Sequence, residues 1–191
     1  MKIFAGLYEQ AIKWARHPKA PWYLGGLSFA ESSFFPIPPE VMLGPMVLAK
    51  RDKAWWFATI TTVTSVLGGI AGYLIGLFAF ELVEPYIAQW GYSEKFELAE
   101  RWFEEWGVWV VFIAGFSPIP YKLFTISAGA LSMSFLPFVI ASIIGRGARF
   151  FLVAGLIKLG GEKMESVIKN NVDLLGWITI VAAIGAYLLL K

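Results

Sequence analysis

The sequence predicts an all-α integral membrane protein in which two similar halves form an inverted repeat. Hydrophobic residues make up 58% of the 191-residue chain and charged residues only 16%, with a mean hydropathy of +0.64. Soluble domains are about 45–50% apolar and about 25% charged. The tripeptide Pro-Ile-Pro occurs twice, at 36–38 and 118–120, each time inside a long apolar stretch. A further apolar segment, long enough to cross a bilayer as a helix, follows each of these stretches.

The repeated prolines should stop a helix in the middle of each apolar stretch. Proline lacks a backbone N–H and its ring clashes with the preceding turn, so two prolines one residue apart end a helix. We therefore predict one break at Pro36 and Pro38 and a second at Pro118 and Pro120. In hydrocarbon, a break is tolerated only where it is buried in protein or lines a wet cavity. Two breaks in corresponding positions indicate a binding site near the middle of the membrane.

The first half is predicted to contain a surface helix, a re-entrant hairpin and a transmembrane helix. Residues 1–20 carry spaced charges on an apolar pattern without a cleavage site, which is typical of an amphipathic helix on the membrane face. In the unit 22–80, the arm before the break has about 14 residues, or about 21 Å as a helix, too short to cross about 30 Å of hydrocarbon. Residues 54–80 should then cross. Glycines 68, 72 and 76 share one face of that helix, where a neighbouring helix can approach closely.

The second half repeats this order. Residues 81–106 form an acidic connector that we interpret as a second surface helix, and the unit 107–159 contains a second hairpin, with arms of about ten residues, and a transmembrane helix. A C-terminal transmembrane helix follows over 172–190, so that 1–191 form a single membrane domain. If the first hairpin opens to the cytoplasm, most lysines and arginines lie inside, as the positive-inside rule requires. The single crossing between the hairpins then makes them enter from opposite faces.

Ionisable residues at membrane depth mark the candidate site. A charged side chain at the centre of a membrane helix costs at least about 2.5 kcal/mol, so each should face a partner or water. Carboxylates there can exchange protons or bind a cation, and cations there attract an anionic headgroup; a purely structural ion pair is the alternative. The residues selected on this basis, with one serine beside a break, are Glu31, Glu40, Ser117, Lys122, Arg146 and Arg149.

Spacing suggests how these side chains are arranged. Glu40 and Lys122 each lie two residues after the second proline of their own break. Because an inverted repeat brings the hairpin tips together, we predict that this acid and this base lie opposite each other. Arg146 and Arg149 are three residues apart and should share one helical face. Asp52 lies among basic residues at an interface and is interpreted as local charge balance.

Several function classes find no support in the composition. The chain has no cysteine, one histidine and neither an HExxH nor a GxSxG motif, so we predict no enzyme, no bound metal and no cofactor. The net charge is only +2, and the basic residues lie at membrane edges rather than in one patch. Nucleic acid is therefore not an expected partner.

An ordered set of motifs resembles the DedA family, the bacterial branch of the VTT-domain proteins. The similarity covers roughly residues 25–160. The motifs are Glu31-x4-Pro36-Ile37-Pro38-Pro39-Glu40, then Gly69-x2-Gly72-Tyr73-x2-Gly76, and then Gly115-Phe116-Ser117-Pro118 through Ala128-Gly129. The resemblance implies opposed re-entrant hairpins in the bacterial cytoplasmic (inner) membrane. It also implies movement of undecaprenyl phosphate or phospholipids between leaflets, often linked to the proton gradient, and eukaryotic relatives of the family act as scramblases.

Carried over by position, the resemblance has both matches and departures. Glu31 and Glu40 match the two acids that the family has before and after its first proline break. The family usually has an arginine three residues before the second-break proline and another three residues after it, where this chain has Gly115 and Tyr121. Further on, the family usually has an asparagine, a glycine and a tryptophan, where this chain has Ser142, Gly145 and Arg149. The charge of the absent arginines should then come from other positions, namely Lys122, Arg146 and Arg149.

The leading hypothesis is a DedA-like lipid transporter, a flippase or scramblase. The anionic headgroup of the lipid would bind between the hairpin tips while its tails stay in the bilayer. One alternative is a proton-coupled exporter of small cations or drugs that uses Glu31 and Glu40. Another is a noncatalytic membrane assembly protein. The expected partners are membrane lipids with an anionic headgroup; the sequence leaves open the identity of the lipid, proton coupling and a homo-oligomer.

Overall fold

The structure is a computed structural model that describes residues 14–15, 17–35, 37–89, 93–117 and 120–160, with backbone alone for 81–89, 93–100 and Trp102. Most of the surface helix predicted over 1–20 and all of the helix predicted over 172–190 lie outside these residues. So do Pro36 and Pro118, one proline of each break. Within the described ranges the chain is helical apart from short turns, and no strand occurs there.

The described helices follow one another with short connections. They are α1 (Ala20–Ser33), α2 (Glu40–Ala49), a 3₁₀ turn (Arg51–Lys53), α3 (Ala54–Gln89), α4 (Ser93–Phe116), α5 (Tyr121–Ala130) and α6 (Phe135–Gly160). Both predicted breaks therefore fall between helices, the first between α1 and α2 and the second between α4 and α5.

The first break separates two short helices. α1 has 14 residues and α2 has 10, so neither is long enough to cross a bilayer. Phe34 closes α1 with a hydrogen bond from its N–H to the carbonyl of Ala30, and Pro39 is the N-cap of α2. Leu24 near the start of α1 and Val47 near the end of α2 share one buried cluster. The chain thus folds back at the first break.

The second break separates arms of unequal length, which differs from the expected pair of arms of about ten residues. α5 has 10 residues, but α4 has 24 and includes much of the acidic connector that we expected to be a separate surface helix over 81–106. The first part of that connector continues α3, which ends at Gln89 rather than at residue 80. The reason is local. Glutamate, leucine, alanine and arginine, the strong helix formers of this segment, continue a helix across a change from apolar to polar composition. The depth of this connector in the membrane remains a prediction.

Two helices among the described residues are long and apolar enough to cross a membrane. They are Arg51–Phe80, which includes most of α3, and Phe135–Gly160, with mean hydropathies of 1.9 and 1.7. The ammonium group of Lys158, near the end of α6, lies 5.0 Å from the ring centre of Trp55, near the start of α3. The two helices therefore run in opposite directions. α3 packs against α1 along one part of its length and against α5 along another.

Glycines allow the close approach of α3 to both neighbours. A Cβ added at Gly68 would lie 2.2 Å from the carbonyl oxygen of Phe29 in α1, and one at Gly76 would lie 1.9 Å from that of Ile126 in α5. Neither distance is possible for a real side chain, so the backbones meet only because these residues are glycines. The predicted close packing at the glycine face is confirmed, with two partner helices instead of one.

Candidate functional site

Arg146 is the centre of a buried polar network between α6, α1 and α3. Its side chain is only 1% exposed. Its Nη2 lies 2.5 Å from the carboxylate oxygen Oε2 of Glu31, and its Nε donates to Oγ of Ser65 at 2.5 Å. Glu31 is near the end of α1 and Ser65 is on α3. A fully buried guanidinium requires such partners because an unpaired charge in this environment is expensive.

Serine hydroxyls complete this network. Oγ of Ser32 donates to Oε2 of Glu31 at 3.0 Å, and it lies 2.7 Å from Oγ of Ser65. One turn earlier, Oγ of Ser28 donates to the carbonyl of Thr61 at 2.8 Å. None of these hydroxyl residues is among the site residues predicted from the sequence. The available signal was the spacing of four between hydroxyl residues on both apolar helices, which places a polar stripe on α1 opposite one on α3.

Aromatic rings enclose the guanidinium of Arg146. Its Cζ lies 4.9 Å from the ring centre of Tyr121 and 4.6 Å from that of Phe150, within the range of cation–π attraction. The hydroxyl of Tyr121 donates to Oγ of Ser142 at 2.5 Å, which in turn donates to the carbonyl of Phe138 at 2.7 Å. Tyr121 begins α5, so the second break also packs against this arginine.

Arg149, almost one turn further along α6, connects the two breaks. Its Nη2 and Nε lie 2.6 and 2.7 Å from Oε1 of Glu40, the first residue of α2. Its Nη1 donates to the carbonyl oxygen of Ser117, the residue that follows α4. One guanidinium therefore holds the chain just after the first break and just before the prolines of the second. Arg146 binds Glu31 and Arg149 binds Glu40, and these acids lie on the consecutive helices α1 and α2. This agrees with the prediction that the two arginines share one helical face.

The predicted pairing of Glu40 with Lys122 is wrong. Glu40 pairs with Arg149 instead, and Nζ of Lys122 donates to the carbonyl oxygen of Phe34 at 3.4 Å. This carbonyl belongs to the C-terminal end of α1, where the helix dipole favours a cation. α5 also contacts the end of α1, since Oγ1 of Thr125 donates to the carbonyl oxygen of Ser32 at 3.4 Å. The meeting of two re-entrant hairpin tips near the middle of the membrane stays a prediction.

The two ion pairs differ in access. The Glu40 and Arg149 side chains are 21% and 17% exposed, whereas the Arg146 side chain is almost completely enclosed. Two buried atoms in the more open region, Oε2 of Glu40 and Oγ of Ser117, have no hydrogen-bond partner among the described residues. They leave polar capacity for a ligand or water next to Arg149.

All six site residues selected from the sequence lie around the two breaks, although they form three groups. Arg146 binds Glu31, Arg149 binds both Glu40 and Ser117, and Lys122 caps α1. These six residues include two carboxylates and three cations, so the group has one excess positive charge. Such a cluster suits an anion with several oxygen acceptors. In the described part of the chain, no group of three or more histidine, aspartate or glutamate residues is placed to hold a metal ion.

This chain is similar to one family model and to several known proteins. The family model of the VTT domain matches residues 36–159. An uncharacterized protein of Haemophilus influenzae is 49% identical over 191 residues, which is 100% of both chains. Undecaprenyl phosphate transporter A of Staphylococcus aureus is 32% identical over 139 residues, 68% of this chain and 67% of that protein. Inner membrane protein YqaA of Escherichia coli is 27% identical over 127 residues, 66% of this chain and 83% of that protein. No solved structure matches this chain well enough to count as similar.

Proposed function

Since this chain belongs to the DedA family of VTT-domain membrane proteins, we propose that it moves a lipid with an anionic headgroup between the leaflets of the bacterial cytoplasmic membrane. The substrate class is a polyprenyl phosphate or a phospholipid. Support for this class comes from the name of the relative in Staphylococcus aureus and from the excess positive charge around the breaks.

The observation that carries the proposal is the position of Arg149. This residue is partly exposed and binds both halves of the chain, and its neighbours Glu40 and Ser117 each carry one polar atom with no hydrogen-bond partner in the described part of the chain. A phosphate oxygen bound by Arg149 would take the place of a carboxylate oxygen of Glu40. Arginine suits this exchange because its planar fork matches carboxylate and phosphate geometry equally well.

The remaining charged residues have supporting roles in this proposal. Lys122, at the tip of the second hairpin, supplies further positive charge to the headgroup. Arg146 and Glu31 are a positioning pair that fixes α6 against α1, since the guanidinium of Arg146 is too enclosed for a ligand to enter. Of the positions of the two family arginines, Tyr121 lies with its ring against the guanidinium of Arg146. Gly115 lies beside the backbone of α6, where an added Cβ would be 3.4 Å from the backbone nitrogen of Arg146. The contact of Tyr121 fits a relocation of charge to α6.

The alternative function, export of small cations, has less support. Both candidate acids already bind arginine, at 2.5 Å for Glu31 and 2.6 Å for Glu40. A cation would have to displace a guanidinium from each carboxylate in order to bind. Substrate-dependent pH changes inside vesicles without any movement of lipid would favour this alternative.

Lipid movement depends on Arg149 if the proposal is correct. We expect Arg149→Gln to slow leaflet exchange of a labelled anionic lipid by about tenfold or more, because a hydrogen bond to a charged group contributes about 1.5–3 kcal/mol. The measurement is lipid exchange in liposomes that contain purified protein. Arg101→Gln is the matched control, since Arg101 is an exposed arginine of α4 far from the breaks in sequence. Equal exchange rates for the two variants, with both proteins folded, would contradict the proposal.

The proposal also requires a particular membrane arrangement, in which the repeat units 22–80 and 107–159 enter from opposite faces of the cytoplasmic membrane. The natural chain has no cysteine, so single cysteines report topology without background. We expect an impermeant maleimide to label Ser134→Cys in intact cells and Lys53→Cys only after permeabilisation. Both positions are exposed and directly precede α6 and α3 respectively. Labelling of both positions from the same side would exclude the inverted arrangement.

A further inference from the structure

A basic pocket lies at the end of the molecule where α1 and α3 begin and α2 ends. It has a volume of about 320 Å³, and its lining includes His17, Lys50 and Lys53, with Trp56 as one wall. Nδ1 of His17 accepts a hydrogen bond from the backbone N–H of Lys19 at 3.2 Å. The neutral imidazole therefore carries its proton on Nε2 and remains a hydrogen-bond donor. None of these residues belongs to the ion pairs at the breaks.

An apolar groove of about 550 Å³ continues from this pocket between α1 and α3. Pro21 and Trp56 line both cavities. The groove follows α3 from Trp56 to Thr64, which is about 12 Å along the helix axis. Gly26 of α1 forms part of its floor, and a Cβ added there would have no atom within 4 Å. The groove is therefore open at Gly26.

We propose that the pocket and the groove together hold one anionic phospholipid, with its headgroup phosphate in the pocket and the first part of an acyl chain in the groove. Charge complementarity selects the headgroup, because the ionisable residues among the described ones that line the pocket are two lysines and a histidine. The apolar lining of the continuing groove selects a ligand with a tail over free phosphate. Basic pockets between membrane helices are suited to such headgroups. The proposal does not depend on lipid transport, because the site shares no residue with the breaks.

A bound lipid at this position would fill the space between α1 and α3. The Trp22 and Trp56 side chains that border the groove are 83% and 58% exposed. An acyl chain between them would bury apolar surface that the protein alone leaves open. The lipid would in this way strengthen the attachment of the first hairpin to α3.

The test uses photoactivatable lipids in nanodiscs. Phosphatidylglycerol and phosphatidylcholine, each with a diazirine in the acyl chain, are crosslinked to the purified full chain, and the labelled residues are mapped by mass spectrometry. We expect phosphatidylglycerol to label the groove residues preferentially. Lys53→Gln should reduce this labelling by about fivefold relative to phosphatidylcholine. Lys19→Gln removes the same charge from an exposed position that does not line the pocket, and it should have no such effect.

A second variant tests the groove independently of charge. Gly26→Leu places a side chain in open space and favours the helix, so it should fold and reduce labelling of the groove by both lipids. Unlabelled phosphatidylglycerol should compete with the probe, and inorganic phosphate should not. The inference is overturned if Lys53→Gln behaves like Lys19→Gln, if Gly26→Leu is labelled like the natural chain, or if inorganic phosphate alone abolishes labelling. None of these results would alter the exchange rates that test the function of Arg149.

Discussion

Arg146→Met is expected to lower the free energy of unfolding by about 3–5 kcal/mol, because it leaves the carboxylate of Glu31, only 13% exposed, without its cation. It also removes the donor that binds Ser65 and the cation between two aromatic rings. The measurement is reversible unfolding in mixed micelles with increasing denaturing detergent, followed by circular dichroism. Arg101→Met is the matched control, and its exposed position should keep its effect within about 0.5 kcal/mol.

A double variant separates the loss of a partner from the loss of packing. In Glu31→Gln with Arg146→Met, no charge remains at this position, and the hydroxyls of Ser32 and Ser65 still bind each other at 2.7 Å. We therefore expect the double variant to be more stable than Arg146→Met alone, since a buried ion pair replaced as a whole often costs little. If Arg146→Met alone unfolds at the same detergent concentration as the natural chain, the pair does not anchor α6 to α1.

Gly76→Ala is the second substitution with a large expected effect. The added Cβ would meet the carbonyl of Ile126 at 1.9 Å, and the next contacts are also backbone atoms of α5. Because backbone cannot rotate away as a side chain does, α3 and α5 must move apart. We expect a loss of stability of about 1–3 kcal/mol, the range for overpacked cores, measured by the same detergent titration.

Gly26→Ala provides the control for this substitution. Both changes replace a helical glycine by alanine, but the Cβ at Gly26 meets no atom within 4 Å. The control should be neutral or more stable by up to about 1 kcal/mol, through the lower flexibility of the unfolded chain. Equal stabilities for Gly76→Ala and Gly26→Ala would show that α3 and α5 do not approach as closely as described.

Local chemistry made the breaks and the close helix contacts predictable from the sequence. Two prolines one residue apart end a helix, so the gap between α1 and α2 and the gap between α4 and α5 follow from the two Pro-Ile-Pro tripeptides. A single proline does not have this effect here, since Pro45 lies inside α2. The spacing of Gly68 and Gly76 similarly identifies a face that neighbours approach, since glycine alone has no Cβ.

The ion-pair partners and the helix ends depend on tertiary structure, and the sequence pattern alone could not predict them. Glu40 binds Arg149 rather than Lys122 because α6 crosses both breaks, and the sequence pattern contains no information on that crossing. The 24-residue length of α4 was missed because hydropathy marks where the membrane environment changes, and a helix need not end there. The hydroxyls of Ser32 and Ser65 were overlooked because single serines are common in apolar helices, and only their contact gives them a role.

The binding of two partners by Arg149 has a thermodynamic consequence. The same guanidinium binds the carboxylate of Glu40 and a carbonyl from the other half of the chain. Linkage requires that the effect of an anion on these contacts equals the effect of these contacts on the anion. If the proposed anion at Arg149 weakens the contact between the two breaks by some factor, closing that contact weakens anion binding by the same factor. Anion affinity therefore reports on the contact between the breaks before any movement across the membrane is measured.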